Sequence, residues 1–197
     1  MGMDAEAQRL LTAAWRVLEC SNFETCKVER VIKEAGVSAR TFYRYFADKD
    51  ELLLGLMRDE MARSSRYLAA AVATGETSAD KVRAWITAVI GAADDPRRSA
   101  RARLFSSQQP MTRKYQAELA EGTAMLTAPL RAALEEGSAS GEFPWAEAGR
   151  DTELIYALTG AEMSDALASE PQRSAAERIE ATVTFVLRSL GVAPSER

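Results

Sequence analysis

The stretch VERVIKEAGVSARTFYRYFADKDELL, from Val28 to Leu53, decides the fold of the N-terminal region. It predicts two short helices joined at Gly36, because glycine readily adopts the positive φ that a sharp turn needs. Ser38 is a favourable N-cap for the second helix. Phe42 and Phe46 are four residues apart, which places both rings on one helix face. The stretch therefore predicts a helix-turn-helix whose second helix packs its rings into a core.

Helices are also predicted on either side of this stretch. Apolar residues recur at helical spacing from Asp4 to Cys20. Asp48 and Glu51 have the spacing of a capping box, and they begin a helix that runs toward Val72. With about 25 residues this helix would extend roughly 35 to 40 Å, which is too long for a small bundle alone. It is therefore expected to connect to a second domain.

The remainder of the chain predicts further helices and no strand. Gly137 to Gly141 is expected to form a loop, and Pro129 is expected to kink a long helix near Leu126. Ser174 and Glu177 predict a capping box at the last helix. The predicted helices run from Ala79 to Ala92, Pro96 to Ser106, Pro110 to Glu136, Ala146 to Leu167 and Ser174 to Leu190. The fold is expected to be all-α with about nine helices, divided into residues 1–50 and 51–197.

The composition excludes several kinds of site. The chain has no histidine and 2 cysteines, so a Cys/His zinc site and histidine acid/base catalysis are excluded. No catalytic residue, metal or cofactor is predicted. Cys20 and Cys26 do not make a disulfide framework, which favours a reducing cytoplasm. They could be simple thiols or a redox pair. No apolar window approaches 18 residues, so no membrane segment is expected.

The helix after Gly36 has the composition of a surface that contacts DNA. Between Val37 and Ala47 there are two arginines and no carboxylate, although the chain has a net charge of -4. Arginine can read guanine O6 and N7 in the major groove, whereas Tyr, Thr and Lys suit phosphate contacts. A solvated helix face is the alternative for the arginines. The predicted DNA-binding residues are Lys27, Ser38, Ala39, Arg40, Thr41, Tyr43, Arg44, Tyr45 and Lys49.

The same residues carry a resemblance to a known family. Ala35-Gly36-Val37-Ser38, Thr41, Tyr43, Phe46, Lys49 and Leu52-Leu53 resemble the helix-turn-helix of the tetracycline-repressor (TetR) family of transcription regulators. Two positions depart from the family pattern, since Asn22 replaces a usual glycine and Lys27 replaces a usual threonine cap. Asn also enters the left-handed region. The resemblance implies an N-terminal DNA-binding domain followed by a helical effector-binding and dimerisation domain.

The resemblance further implies that part of the second domain lines an effector pocket. Large apolar residues at helical positions are the candidates, with ordinary core packing as the alternative. The predicted ligand-binding residues are Trp85, Leu104, Phe105, Met125, Tyr156 and Met163. The last two helices carry apolar faces that suit a four-helix interface across a two-fold axis, or the core of one chain. The predicted interface residues are Leu154, Leu158, Ala161, Ile179, Val183, Val186 and Leu190.

The sequence therefore predicts a cytoplasmic, homodimeric transcriptional regulator and not an enzyme. Its expected partners are a palindromic operator in double-stranded DNA and a small, mostly apolar effector that releases a repressor from it. One alternative is a DNA-binding protein that needs no effector. Another is an all-α enzyme that binds a small molecule, which the absence of a recognisable catalytic set disfavours.

Overall fold

The described residues form nine α-helices and no strand. The computed structural model describes residues 5–19, 25–106, 114–167 and 173–193, without the side chains of residues 19 and 104–106. The helices are α1 (Ala5–Glu19), α2 (Val28–Ala35), α3 (Ala39–Tyr45), α4 (Lys49–Val72), α5 (Ser78–Ile90), α6 (Pro96–Ser106), α7 (Gln116–Ser140), α8 (Ala148–Ala166) and α9 (Ala175–Ser189). A short 3-10 helix, Gly91–Ala93, follows α5. The all-α prediction is confirmed.

The chain divides into two compact units. The first comprises Met1–Glu60 and Leu104–Leu119, and the second comprises Met61–Arg103 and Ala120–Arg197. The boundaries fall within α4, close to the end of α6 and within α7, so these helices contribute to both units. The functional division at residue 50 stays a prediction.

The first unit is built around two aromatic rings of the helix-turn-helix. Phe42 and Phe46 are buried, and their ring centroids are 5.7 Å apart, which confirms that both face a core. Gly36 closes α2 with φ 63°, the left-handed conformation that the turn was expected to need. Gly55 of α4 also contributes, because a Cβ there would lie 2.9 Å from the Phe46 ring. Glycine thus allows α4 to pack closely on this core.

The core of the second unit surrounds α5. Trp85, Ile86 and Ile90 are fully buried, and α5 packs against both α8 and α9. The Glu142 carboxylate accepts hydrogen bonds from the backbone N–H groups of Ser78 and Ala79, at 3.0 and 2.8 Å. These groups at the start of α5 have no partner within the helix. The loop before α8 therefore caps α5.

The loop prediction for Gly137 to Gly141 was wrong for most of its length. Helix α7 continues to Ser140, and the positive φ of 81° that marks the turn occurs at Gly141. A Cβ on Gly137 would overlap the Phe143 ring. Gly137 therefore makes room for a buried ring and does not end the helix. Pro129 lies inside the continuous α7, and the kink remains a prediction.

Candidate nucleic-acid interface

Helix α3 is fixed at its start and on its inner side. The Ser38 hydroxyl accepts a hydrogen bond from the backbone N–H of Thr41 at 3.0 Å, which confirms the predicted cap. Because Phe42 points into the core, Ala39, Arg40 and Tyr43 are presented to solvent, with Tyr43 58% exposed. A short helix held in this way presents a defined set of side chains. Its exposed surface suits insertion into a groove.

Arg40 and Arg44, the two predicted base-reading arginines, have different surroundings. Arg44 forms an ion pair with Glu6 of α1 and donates a hydrogen bond to the Tyr45 hydroxyl at 2.8 Å. The hydrogen bond with Tyr45, together with the charge of Glu6, raises the pKa of Arg44. Arg40 is exposed and has no ion-pair partner among the residues described. Arg40 is therefore the more available of the two for a base edge.

The two predicted phosphate contacts from lysine lie at helix starts. Lys27 is exposed at the N-cap of α2 and makes no side-chain capping hydrogen bond, as its departure from the family pattern suggests. Lys49 is half-buried at the first position of α4. Its neighbour Asp48 accepts a hydrogen bond from the Glu51 N–H at 2.9 Å, and the Glu51 carboxylate accepts one from the Ala47 N–H at 2.7 Å. The predicted cap of α4 is present, with Ala47 as the reciprocal donor.

Cys26 is the cysteine of this region that the structure describes, and it is a buried free thiol. Cys26 is buried, and burial raises the pKa of its thiol despite the nearby charges of Lys49 and Arg30. A raised thiol pKa lowers the fraction of reactive thiolate. Cys20 and Asn22 lie outside the described residues. The redox alternative therefore stays a prediction.

The helix-turn-helix matches a known family of DNA-binding proteins. Residues 10–56 match the family described as bacterial regulatory proteins, tetR family. The matched segment contains the capped α3, its buried rings and the exposed arginine. Residues 10–56 of the chain are therefore similar to the DNA-binding segment of TetR-family transcriptional regulators.

Similarity to known proteins extends beyond the matched segment. The HTH-type transcriptional regulator EthR of Mycolicibacterium smegmatis is 29% identical over 188 residues, which cover 94% of this chain and 85% of EthR. The fatty acid degradation regulator FadR of Bacillus halodurans has a TM-score of 0.76 at 16% identity, over 98% of this chain and 100% of that one. FadR of Bacillus subtilis, solved in complex with stearoyl-CoA, has a TM-score of 0.72 at 17% identity, over 92% of this chain and 98% of that one. The part of the chain that the structure describes therefore has the all-α fold of these proteins.

The predicted pocket residues occupy different environments. Trp85 is in the core, where its indole N–H donates to the Leu126 carbonyl at 3.1 Å. Tyr156 and Met163 are half-buried, whereas Met125 is 41% exposed. The side chains of Leu104 and Phe105 lie outside the described part of the chain. Their roles in effector binding stay predictions.

The predicted interface residues separate into three groups by their exposure. Leu154 and Ala161 on α8 are exposed, while Leu158 and Ile179 are half-buried against the core of the second unit. The prediction was wrong for Val183, Val186 and Leu190. These three side chains are at most 1% exposed because they pack into the core of their own chain.

An exposed aromatic residue was missing from that prediction. Phe185 on α9 is 64% exposed, although it directly precedes the buried Val186. Periodicity separates Phe185 from Val186 by about 100°, but it does not tell which of the two sides is buried, so the sequence carried no signal for Phe185. Leu154, Ala161 and Phe185 now define the exposed apolar surface of α8 and α9.

Two other kinds of feature are absent from the described segments. None of the described helices is long and apolar enough to cross a membrane. No cluster of three or more His, Cys, Asp or Glu side chains that could hold a metal ion occurs among the described residues.

Proposed function

We propose that this TetR-family regulator is a homodimeric repressor and that α3 is its recognition helix. The observation that carries the proposal is the exposed set of Ala39, Arg40 and Tyr43 on a helix fixed by the Ser38 cap and the buried Phe42. Arg40 reads a base edge, and Thr41, Tyr43, Lys27 and Lys49 set the register through phosphates. Ser38, Arg44 and Tyr45 complete the predicted contact surface.

The homodimer forms through the exposed apolar surface of α8 and α9. Leu154 and Phe185 are large apolar side chains that are 57% and 64% exposed, and Ala161 permits close helix approach. Two such helix pairs can bury their apolar faces against each other across a two-fold axis. A symmetric dimer requires a palindromic operator whose half-sites lie about 34 to 36 Å apart.

Release from DNA is controlled by a small effector with a long apolar part, held in the second unit. The similar fold of the two FadR proteins, one a regulator of fatty acid degradation and the other solved in complex with stearoyl-CoA, supports an acyl chain as that part. The half-buried Tyr156 and Met163 are adaptable apolar side chains that fit such a ligand. Effector and operator bind different states of the dimer, so each lowers the affinity for the other. Helix α4, which contributes to both units, is the element that links them.

Selection of DNA from a random library by the purified protein tests the proposed DNA recognition. We expect an inverted repeat with half-sites one helical turn apart. Binding that falls with salt but shows no sequence preference would instead identify a non-specific DNA-binding protein. The selected duplex then serves in a release assay, in which palmitate and palmitoyl-CoA are titrated into the complex while fluorescence anisotropy is recorded.

The two alternatives from the sequence are tested by the same preparations. An effector-independent protein would hold the selected duplex at every ligand concentration. An enzyme would convert a bound ligand, which mass spectrometry of the recovered ligand would reveal. We do not propose the enzyme, because the matched family is one of regulatory proteins and the chain contains no histidine. A regulator of this kind acts in the cytoplasm, where its operator is.

A further inference from the structure

Helix α6 carries a dense group of arginines that DNA recognition by α3 does not use. Its sequence PRRSARARLFS has four arginines and no carboxylate, in a chain whose net charge is -4. Ser99 is buried and marks the inner side of the helix. With about 100° between successive residues, Arg97 and Arg101 lie on the opposite side and Arg98 lies between the two sides. One side of α6 is therefore strongly basic.

An aromatic ring of α4 continues this basic surface within the second unit. The guanidinium carbon of Arg98 lies 3.5 Å from the ring centroid of Tyr67, which is 43% exposed. Arg66, the neighbour of Tyr67 on α4, is exposed as well. We call Arg66, Tyr67, Arg97, Arg98 and Arg101 the α4–α6 patch. Two helices thus contribute arginines to this patch, and the guanidinium of Arg98 lies over the Tyr67 ring.

Asp95 at the start of α6 interacts with two residues of this patch. Asp95 accepts hydrogen bonds from the backbone N–H groups of Arg97 and Arg98, at 2.8 and 3.0 Å, and so caps α6. These hydrogen bonds lower the pKa of Asp95, and the one from the Arg98 N–H has the largest effect. The Asp95 carboxylate also lies 3.8 Å from the Arg98 side chain. Neither Arg66 nor Arg97 has an ion-pair partner among the residues described. The α4–α6 patch therefore has at least two arginines ready for an anion.

The chemistry and size of the α4–α6 patch fit a phosphorylated head group. Guanidinium groups bind phosphate oxygens in pairs, and the face of Tyr67 can stack on a planar base. Arg97 and Arg101 are separated by about 6 Å along the helix axis, which matches a compact group of phosphates. We infer that the α4–α6 patch binds the phosphate-bearing nucleotide head of the effector, while the apolar part occupies the second unit. This rests on the proposed effector control and specifies that the ligand carries a phosphorylated head group, which a free fatty acid lacks.

Calorimetric titration with palmitoyl-CoA, coenzyme A and palmitate tests this inference on the full chain. The variant is Arg66→Gln/Arg97→Gln, which retains the Arg98–Tyr67 contact and the Asp95 cap. Arg131→Gln is the matched control, since Arg131 is an exposed arginine of α7 with 60% of its side chain accessible. Thermal unfolding verifies that each variant folds.

We expect the double variant to bind palmitoyl-CoA about 100-fold more weakly, because each guanidinium–phosphate pair that is removed weakens binding about tenfold. The double variant should bind coenzyme A more weakly too. Affinity for palmitate should not change, and Arg131→Gln should match the parent protein. The affinity of the parent for the thioester should also fall with added salt.

Three results would overturn the inference, and each separates it from the proposed function. Unchanged thioester binding by the double variant would remove the α4–α6 patch from the site. Palmitate binding with operator release, but no thioester binding, would retain effector control and reject the phosphorylated ligand. Weaker binding of the double variant to both selected and random DNA, again with no thioester binding, would assign these arginines to DNA phosphates.

Discussion

The Ser65 hydroxyl of α4 donates a hydrogen bond to the Met125 carbonyl of α7 at 2.9 Å. In a regular helix that carbonyl would accept from the N–H of residue 129, but Pro129 has none. Gly122, one turn earlier, allows Met61 of α4 to approach, because a Cβ there would overlap the methionine sulfur. Within the second unit α4 is therefore joined to α7 where proline has freed a carbonyl.

The first prediction concerns this hydrogen bond. Ser65→Ala should lower the free energy of unfolding by about 0.5 to 1.5 kcal/mol, because the exposed Met125 carbonyl exchanges its hydroxyl donor for water. In a Pro129→Ala background the helix supplies its own N–H to that carbonyl, and the effect of Ser65→Ala should be much smaller. Urea unfolding of the four proteins measures the coupling. Equal losses in both backgrounds would mean that Ser65 does not replace the missing helical bond.

The second prediction separates base reading from phosphate contact. Arg40→Ala should weaken binding to the selected operator by about 1 to 3 kcal/mol and relax the base preference. Lys49→Ala should weaken binding to operator and random DNA alike, because phosphates carry no sequence information. Fluorescence anisotropy on both duplexes measures this. Equal losses for Arg40→Ala on the two duplexes would contradict its reading role.

The third prediction concerns the ion pair between Glu6 and Arg44. Glu6→Gln removes a negative charge beside α3 and releases Arg44 from an anionic partner, so affinity for random DNA should rise several-fold at low salt. Glu34→Gln is the control, because Glu34 is another carboxylate of the first unit that pairs with an arginine, Arg16, at 3.4 Å. Unchanged random-DNA affinity for Glu6→Gln, or the same rise for Glu34→Gln, would exclude a specific effect on Arg44.

The fourth prediction places the dimer interface on the exposed side of α9, which carries Phe185, and not on the buried side, which carries Val186. Phe185→Arg should give a folded monomer, because the side chain is exposed and its charge would oppose a second copy. Val186→Arg should lower the free energy of unfolding by several kcal/mol, because a buried charge would have no partner. Light scattering and thermal unfolding distinguish the two variants. A dimeric Phe185→Arg protein would place the interface elsewhere.

The features that could be predicted from the sequence are those with local causes. The Ser38 cap, the Gly36 turn and the inward pair Phe42 and Phe46 each depend on residues within a few positions of one another. Such signals act through backbone geometry and helical periodicity, which a sequence shows directly. Fold class and the exposed side of α3 followed from them.

The features that were missed depend on distant partners. The ion pair of Arg44 with Glu6 joins residues 38 positions apart. Gly137 resembles a loop residue until the Phe143 ring is known to occupy the space beside it. Phe185 and Val186 are adjacent apolar residues of α9. Periodicity alone does not tell which of their two helix sides packs into the core of the chain and which remains exposed. Tertiary packing decides these cases.

The fifth prediction concerns pH and the cap of α9. The Ser174 backbone N–H donates a hydrogen bond to the Glu177 carboxylate at 2.8 Å, which confirms the predicted capping box. This bond and a second one from the Ser174 hydroxyl lower the pKa of Glu177. The stabilisation from a lowered carboxyl pKa is present above the unfolded pKa and is lost as the pH falls through the folded pKa. Thermal unfolding should therefore lose more stability between about pH 5 and pH 3 in the parent than in Glu177→Gln. Glu153 is an exposed carboxylate of α8, and the Glu153→Gln variant serves as the control that should keep the parent's pH dependence. Identical unfolding curves for the parent and Glu177→Gln would show that the ionised cap does not stabilise α9.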